Sequence, residues 1–207
     1  MTQIIKPYSV SLILPCKNEE KALPTVLRLG QQEIDEIIVV TNSKFIPHFR
    51  RWAKKSALSK RLNLVDNLTK GLKDRRGAIG DMHFAVNKKR IRDDLLVIGG
   101  DNLFDGDLRR LLAFAEAKKR SPVIGTYNIK SLDKAKNYGV IKLDKEKTII
   151  DFQEKPKRPK STYVAMCLYY FPKEKIGLIK EYLKSRTKGL DATGSYIGWL
   201  SKKLAVY

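Results

Sequence analysis

The chain has 207 residues, 43% of them hydrophobic, with 42 Lys+Arg against 22 Asp+Glu and a formal net charge of +20. That length predicts a single domain over residues 1–207, with a core that needs no disulfide or metal staple. No apolar run reaches membrane-spanning length, the opening lacks a basic lead and a small-residue cleavage site, and Cys16 and Cys167 stand alone, so a span, a secretory leader and a disulfide framework are all disfavoured and a cytoplasmic location is expected.

Taken in order, Ser9 to Leu14 (SVSLIL) reads as a buried strand that Pro15 ends. The polar loop Cys16-Lys17-Asn18-Glu19 leads into a helix from Glu20 to about Gln32. Asp35 to Thr41 (DEIIVVT) is a second strand, and Ile46, Phe49, Trp52 and Ala53 mark the apolar face of the helix after it. Leu62 to Val65 is a third strand, followed by a charged loop and a helix from Ala78 to about Lys89. Leu95 to Gly99 is a fourth strand. Leu108, Leu111, Leu112 and Ala115 then recur at i, i+3, i+4 and i+7, the best helical pattern in the chain. With Pro122 to Tyr127 as a fifth strand, the alternation predicts a mostly parallel, doubly wound sheet.

After Asn128 the rhythm changes. Tyr138 to Leu143, Thr148 to Gln153 and Tyr163 to Phe171 read as strands with few helices between them, and Asp144 to Lys147 as a hairpin turn. Two helices close the chain, Glu174 to Lys184 and about Gly194 to Leu204.

Chemistry concentrates in four places. Leu95 to Asp107 (LLVIGGDNLFDGD) ends a buried strand on Gly99-Gly100, with Asp101 and Asn102 immediately after. In open α/β sheets ligands bind at strand carboxyl ends, and a hard carboxylate there suits Mg²⁺. The competing reading is a turn in which Asp107 caps the next helix. Gly77-Ala78-Ile79-Gly80-Asp81 opens a helix, where free N–H groups favour an anion and absent side chains admit a flat base. Asn137-Tyr138-Gly139-Val140 opens a strand on which glycine leaves room for a sugar ring. Glu154-Lys155-Pro156 ends a strand, pairing a hydroxyl-accepting carboxylate with a phosphate-holding ammonium, or else forming a solvated charged turn.

Other chemistries find less support. His48 and His83 are the only histidines, and no HxxxH, CxxC, P-loop or GxGxxG spacing occurs. The basic residues are scattered and not interleaved with aromatics, so nucleic acid is not the expected substrate.

Six segments occur in the order found in one family: Asp35 to Lys44, Gly77 to Asp81, Leu95 to Phe104, Tyr138 to Val140, Asp151 to Pro156 and Asp191 to Leu200. On these the chain resembles the sugar-1-phosphate nucleotidyltransferases of the glucose-1-phosphate thymidylyl/uridylyltransferase type, over about Leu14 to Tyr207. The resemblance implies an α/β Rossmann-like GT-A fold, mainly a parallel sheet with a smaller antiparallel portion. It implies attack of a sugar-1-phosphate on a nucleoside triphosphate with release of pyrophosphate, and Mg²⁺ as cofactor. Asp101 would be the metal ligand and, with Lys155, the catalytic pair. Gly77 would face the base, and Asn102, Tyr138, Gly139 and Glu154 would complete the substrate contacts. A homo-oligomer is left open.

Two family motifs have no counterpart here: a GGxGTRL loop before the first Leu-Pro, and a Trp-x-Asp-x-Gly-Thr segment carrying a second metal aspartate. Ser9 to Leu23 instead resembles the opening of inverting family-2 glycosyltransferases, which would place Lys17 and Asn18 in a phosphate-facing loop. The expected function is therefore a sugar-1-phosphate nucleotidyltransferase or a reduced descendant. A nucleotide-sugar glycosyltransferase and a non-catalytic nucleotide-sugar binder are the alternatives. No motif sets the sugar or the base.

Overall fold

A computed structural model of the chain describes residues 10–15, 34–100, 107–185 and 193–207. The helix expected from Glu20 to Gln32 lies outside them. The first four strands are β1 (Val10–Pro15), β2 (Glu36–Thr41), β3 (Leu62–Asp66) and β4 (Asp94–Ile98), and all pair in parallel in the order β3-β2-β1-β4. β4 is buried at every position: Leu95 to Ile98 form an apolar run covered on both faces, and Asp94 ahead of them is a buried carboxylate.

The faces sort by alternation along the strands. Ile38, Val40, Leu95 and Val97 point to one side, where α2 (Gly77–Lys89), α5 (Gly177–Ser185) and α6 (Thr193–Leu200) supply Met82, Tyr182, Tyr196 and Leu200. Ile37, Val39, Leu96 and Ile98 point to the other side, against Phe49 of α1 (Ile46–Lys55) and Leu108 of α3 (Leu108–Ala117). The result is an α/β sandwich with helices on both faces of one mixed sheet.

Asp107 is an N-cap: its side chain accepts the Arg109 N–H at 2.9 Å, so the capping reading of this residue holds. α2 ends on Arg90 in the left-handed region (φ 52), with the Ile91 N–H returning to Val86 O.

The second half departs from a small antiparallel appendage. β5 (Val123–Asn128), β6 (Gly139–Leu143), β7 (Ile149–Glu154) and β8 (Tyr163–Phe171) all pair antiparallel, making four strands of an eight-stranded sheet. The antiparallel portion is as large as the parallel one because β8 runs against β4 (Leu95↔Phe171 to Ile98↔Leu168) and takes β5 on its other edge. A short helix α4 (Leu132–Ala135), not anticipated, follows β5, and Ser131 caps it. Asp144 turns the β6–β7 hairpin as expected, accepting from the N–H groups of Glu146 and Thr148. At the chain's last residues, Val206 O accepts from the Ile149 N–H and Tyr207 O from the Ile124 N–H, bridging β7 to β5.

A buried carboxylate locks the amino end of β4. Asp94 is 0% exposed and accepts hydrogen bonds from Tyr170 Oη (2.7 Å), the Lys173 backbone N–H (2.9 Å) and Arg120. Removing it takes from the buried Tyr170 hydroxyl and the half-buried Arg120 guanidinium the carboxylate that they share. Asp94→Ala is expected to cost about 3 kcal/mol of unfolding free energy in urea titrations, and Tyr170→Phe about 1 kcal/mol.

Candidate functional site

The chain proceeds outward from β1 through β2 to β3 and then returns to β4 on β1's other side. In open α/β sheets ligands bind where the strand order reverses in this way, outside the carboxyl ends of the strands, here β1 and β4. The segments leaving those two strands, 16–33 and 101–106, lie outside the described residues, and with them Lys17, Asp101 and Asn102. The end of β4 is nonetheless fixed: the Gly99 N–H donates to Cys167 O at 2.8 Å, tying it to β8 two residues before Asp101.

At the ends of β2 and β3 is a cavity of about 430 Å³. Gly77 lines it from the first turn of α2, at φ 74, a backbone conformation that glycine adopts without strain. Phe45 and Leu72 give it apolar walls, and Lys44, Lys70 and Arg75 surround it with positive charge. Its polar wall is built around Asn67, which is buried. Asn67 Oδ1 accepts from the Thr69 N–H (2.9 Å) and hydroxyl (2.7 Å), its carbonyl accepts from Arg76 Nε (2.9 Å), and its Nδ2 donates to Asp81 Oδ1 (2.7 Å). Burial raises the Asp81 carboxyl above its ordinary value, and neither the Asn67 bond nor the nearby Arg76 charge offsets it. A flat, partly apolar group carrying negative charge suits such a cavity.

The second cluster assembles at the β6–β7 hairpin. Antiparallel register sets Gly139 opposite Glu154, and the Lys155 N–H donates to Tyr138 O at 3.0 Å. Four of the residues singled out in the sequence, Tyr138, Gly139, Glu154 and Lys155, therefore meet at one hairpin end. Lys155 is in the left-handed region (φ 45), a conformation that costs a non-glycine residue on the order of 1 kcal/mol.

The reason for glycine at position 139 is more specific than room for a sugar. A Cβ there would lie 2.6 Å from Phe152 Cζ and 3.3 Å from Glu154 Oε2, so this protein's own side chains already fill the space. Phe152, Tyr169, Thr193 and Gly194 join the cluster without any role having been read for them. Tyr169 Oη donates to Thr193 Oγ1 at 2.8 Å, anchoring the start of α6 to β8. Burial, with Cys167 and Glu154 nearby, holds the Tyr169 phenol well above its usual range, so it stays a neutral donor. Asp191 to Leu200 was legible as a matching segment, but which of its residues approaches Glu154 depends on how α6 docks.

Among the described residues no group of three or more His, Cys, Asp or Glu side chains could hold a metal ion, and no helix is long and apolar enough to cross a membrane.

Comparison with known proteins agrees with this geometry. A family model described as Nucleotidyl transferase matches residues 13–205. The bifunctional protein GlmU of Methanococcus aeolicus is 36% identical over 102 residues, covering 49% of this chain and 23% of that protein. The glucose-1-phosphate adenylyltransferase of Mycoplasma mobile is 30% identical over 102 residues, covering 49% of this chain and 26% of the other. The matched stretch thus spans about a quarter of the length of these curated relatives. A crystal structure from Bacillus anthracis, provisionally described as a glucose-1-phosphate thymidylyltransferase in complex with a sucrose, shares the fold with a TM-score of 0.74 at 18% identity, covering 96% of this chain and 85% of that one.

The raised Asp81 carboxyl makes a prediction with a definite sign. Its charge opposes folding above the raised value and is absent below the ordinary 3.8, where both states are protonated. Asp81→Asn should therefore melt higher than the parent at neutral pH, and the difference should vanish as pH falls below 3.8 in a series of thermal melts.

Proposed function

Because this chain belongs to the nucleotidyl transferase family, we propose that it joins a nucleoside triphosphate to a sugar-1-phosphate and releases pyrophosphate. The observation carrying this reading is the meeting of Tyr138, Gly139, Glu154 and Lys155 at a hairpin end that adjoins Tyr169, on the strand bonded to the carboxyl end of β4. On this reading the eight-stranded sheet is a Rossmann-like GT-A sheet, residues 1–207 form one nucleotidyltransferase-like domain, and the protein works in the cytoplasm.

Each residue has a distinct task. Glu154 accepts hydrogen bonds from the sugar hydroxyls, and the Lys155 ammonium neutralises the sugar phosphate. A phosphate oxygen of the sugar-1-phosphate then forms a bond to the α-phosphorus while the bond from that phosphorus to the bridging oxygen breaks, and pyrophosphate departs. Gly77 and the cavity beside it hold the base, with Tyr138 and Asn102 as further substrate contacts. Lys17, in the segment after β1, faces the phosphates.

Asp101 fits a hard divalent cation. It follows a strand end held by the Gly99–Cys167 bond, and its carboxylate would leave open positions for phosphate oxygens. Mg²⁺ bound there would supply charge neutralisation on the polyphosphate.

The test is pyrophosphate release with Mg²⁺, the common nucleoside triphosphates and a panel of hexose-1-phosphates. Release is expected from the parent and at least about 100-fold less from Asp101→Asn. Lys155→Ala is expected to raise KM for the sugar phosphate about tenfold or more while leaving that for the triphosphate near its parent value. No release from the whole panel overturns the assignment, and release of a nucleoside diphosphate from a nucleotide sugar replaces it with a glycosyltransferase.

A further inference from the structure

We infer that Gly194 is a positioning residue for the sugar subsite: lacking a side chain, it lets the Glu154 carboxylate lie against the first turn of α6. The inference rests on the transferase reading above and adds a residue to it. A Cβ built at Gly194 falls well inside van der Waals contact with Glu154 Oε2 and 2.6 Å from Phe152 Cζ. The same carboxylate oxygen approaches the Cβ position of Gly139 from the other side at 3.3 Å. One carboxylate oxygen of Glu154 thus lies between the backbone of β6 at Gly139 and that of α6 at Gly194, and neither residue has a Cβ to obstruct it.

Three features support the placement. The amino end of a helix carries partial positive charge, which attracts a carboxylate within its first turn. That end of α6 is pinned to β8 by the Tyr169–Thr193 hydrogen bond. Glu154 is itself exposed, so its carboxylate has room to swing away from a methyl group at 194, whereas the Phe152 ring, with Cζ 2.6 Å from that methyl, must shift within its packing. Such a methyl group disturbs where the carboxylate sits and also presses the Phe152 ring, so the sugar constant is read together with the melting temperature.

Gly198, one helical turn on, is the control for pressure on Phe152. A Cβ there meets only Phe152, at 3.1 Å from Cδ1, and has no contact with Glu154 within 4 Å among its nearest neighbours. Gly198→Ala therefore presses the same ring, less closely and at another atom, with Glu154 absent from its three nearest atoms.

The experiment compares the parent, Gly194→Ala, Gly198→Ala, Glu154→Asp and the double variant Gly194→Ala/Glu154→Asp by pyrophosphate release and thermal melting. Gly194→Ala is expected to raise KM for the sugar-1-phosphate about tenfold, with KM for the triphosphate within about twofold of the parent. Gly198→Ala is expected to leave both constants near the parent's. In the Glu154→Asp background, where the carboxylate is already withdrawn by a methylene, the added effect of Gly194→Ala should shrink to about twofold or less.

An unchanged sugar constant in Gly194→Ala overturns the inference while leaving the transferase reading intact. So does an equal rise for both substrates with a lowered melting temperature, or an effect undiminished in the Glu154→Asp background. A parent that neither turns over nor binds any sugar phosphate in titration calorimetry overturns the reading beneath, and the inference with it.

Discussion

The structure depends on one strand pairing, that of β8 with β4. Through Leu95↔Phe171 to Ile98↔Leu168, and then the Gly99–Cys167 hydrogen bond, the last strand of the parallel block is joined to the antiparallel half. Without this pairing the hairpin carrying Glu154 and Lys155 would have no fixed relation to the strand that leads to Asp101. The pairing is held at both ends: Tyr170 and the Lys173 N–H meet buried Asp94 at the amino end of β4, and Gly99 meets Cys167 at the other. A buried carboxylate satisfied by several donors stays in place because any shift would leave one of them unpaired.

The face of β8 that turns toward α5 and α6 is aromatic. Tyr169 packs on Phe171 with ring centroids 5.9 Å apart, Phe171 on Tyr196 at 5.7 Å, and Tyr196 on Tyr182 and Trp199 at 5.2 and 6.0 Å. Interlocked rings of this size bury large areas and prefer particular angles, so α6 is set on the sheet in one orientation. That orientation brings Thr193 to Tyr169 and Gly194 to Glu154. Core packing and site geometry are therefore the same contacts viewed from two ends.

The excess of positive charge is partly accounted for by local structure. Arg76 lies over Phe84 at 4.4 Å, Lys118 over Tyr207 at 4.4 Å and Lys203 over Trp199 at 4.7 Å, covering aromatic faces that water would otherwise wet. Lys44, Lys70 and Arg75 instead surround the cavity beside Gly77, where a field of one sign concentrates anions.

What the sequence determined by itself is the set of elements and the chemical vocabulary. DEIIVVT and LLVI are short, continuous and rich in branched apolar residues, the pattern of strands buried on both faces, and Tyr163 to Phe171 has the bounds expected for it. Glu154, Lys155 and Gly139 were legible as residues whose types suit a sugar phosphate. Tertiary structure alone decided that β8 would reverse against β4 and make the antiparallel half as large as the parallel one. It alone decided that Gly139 would face Phe152, and that Gly194, forty residues after Glu154, would lie against its carboxylate. Strand partners and helix docking are long-range choices, settled by which faces fit together across the core. No local pattern of residues encodes them.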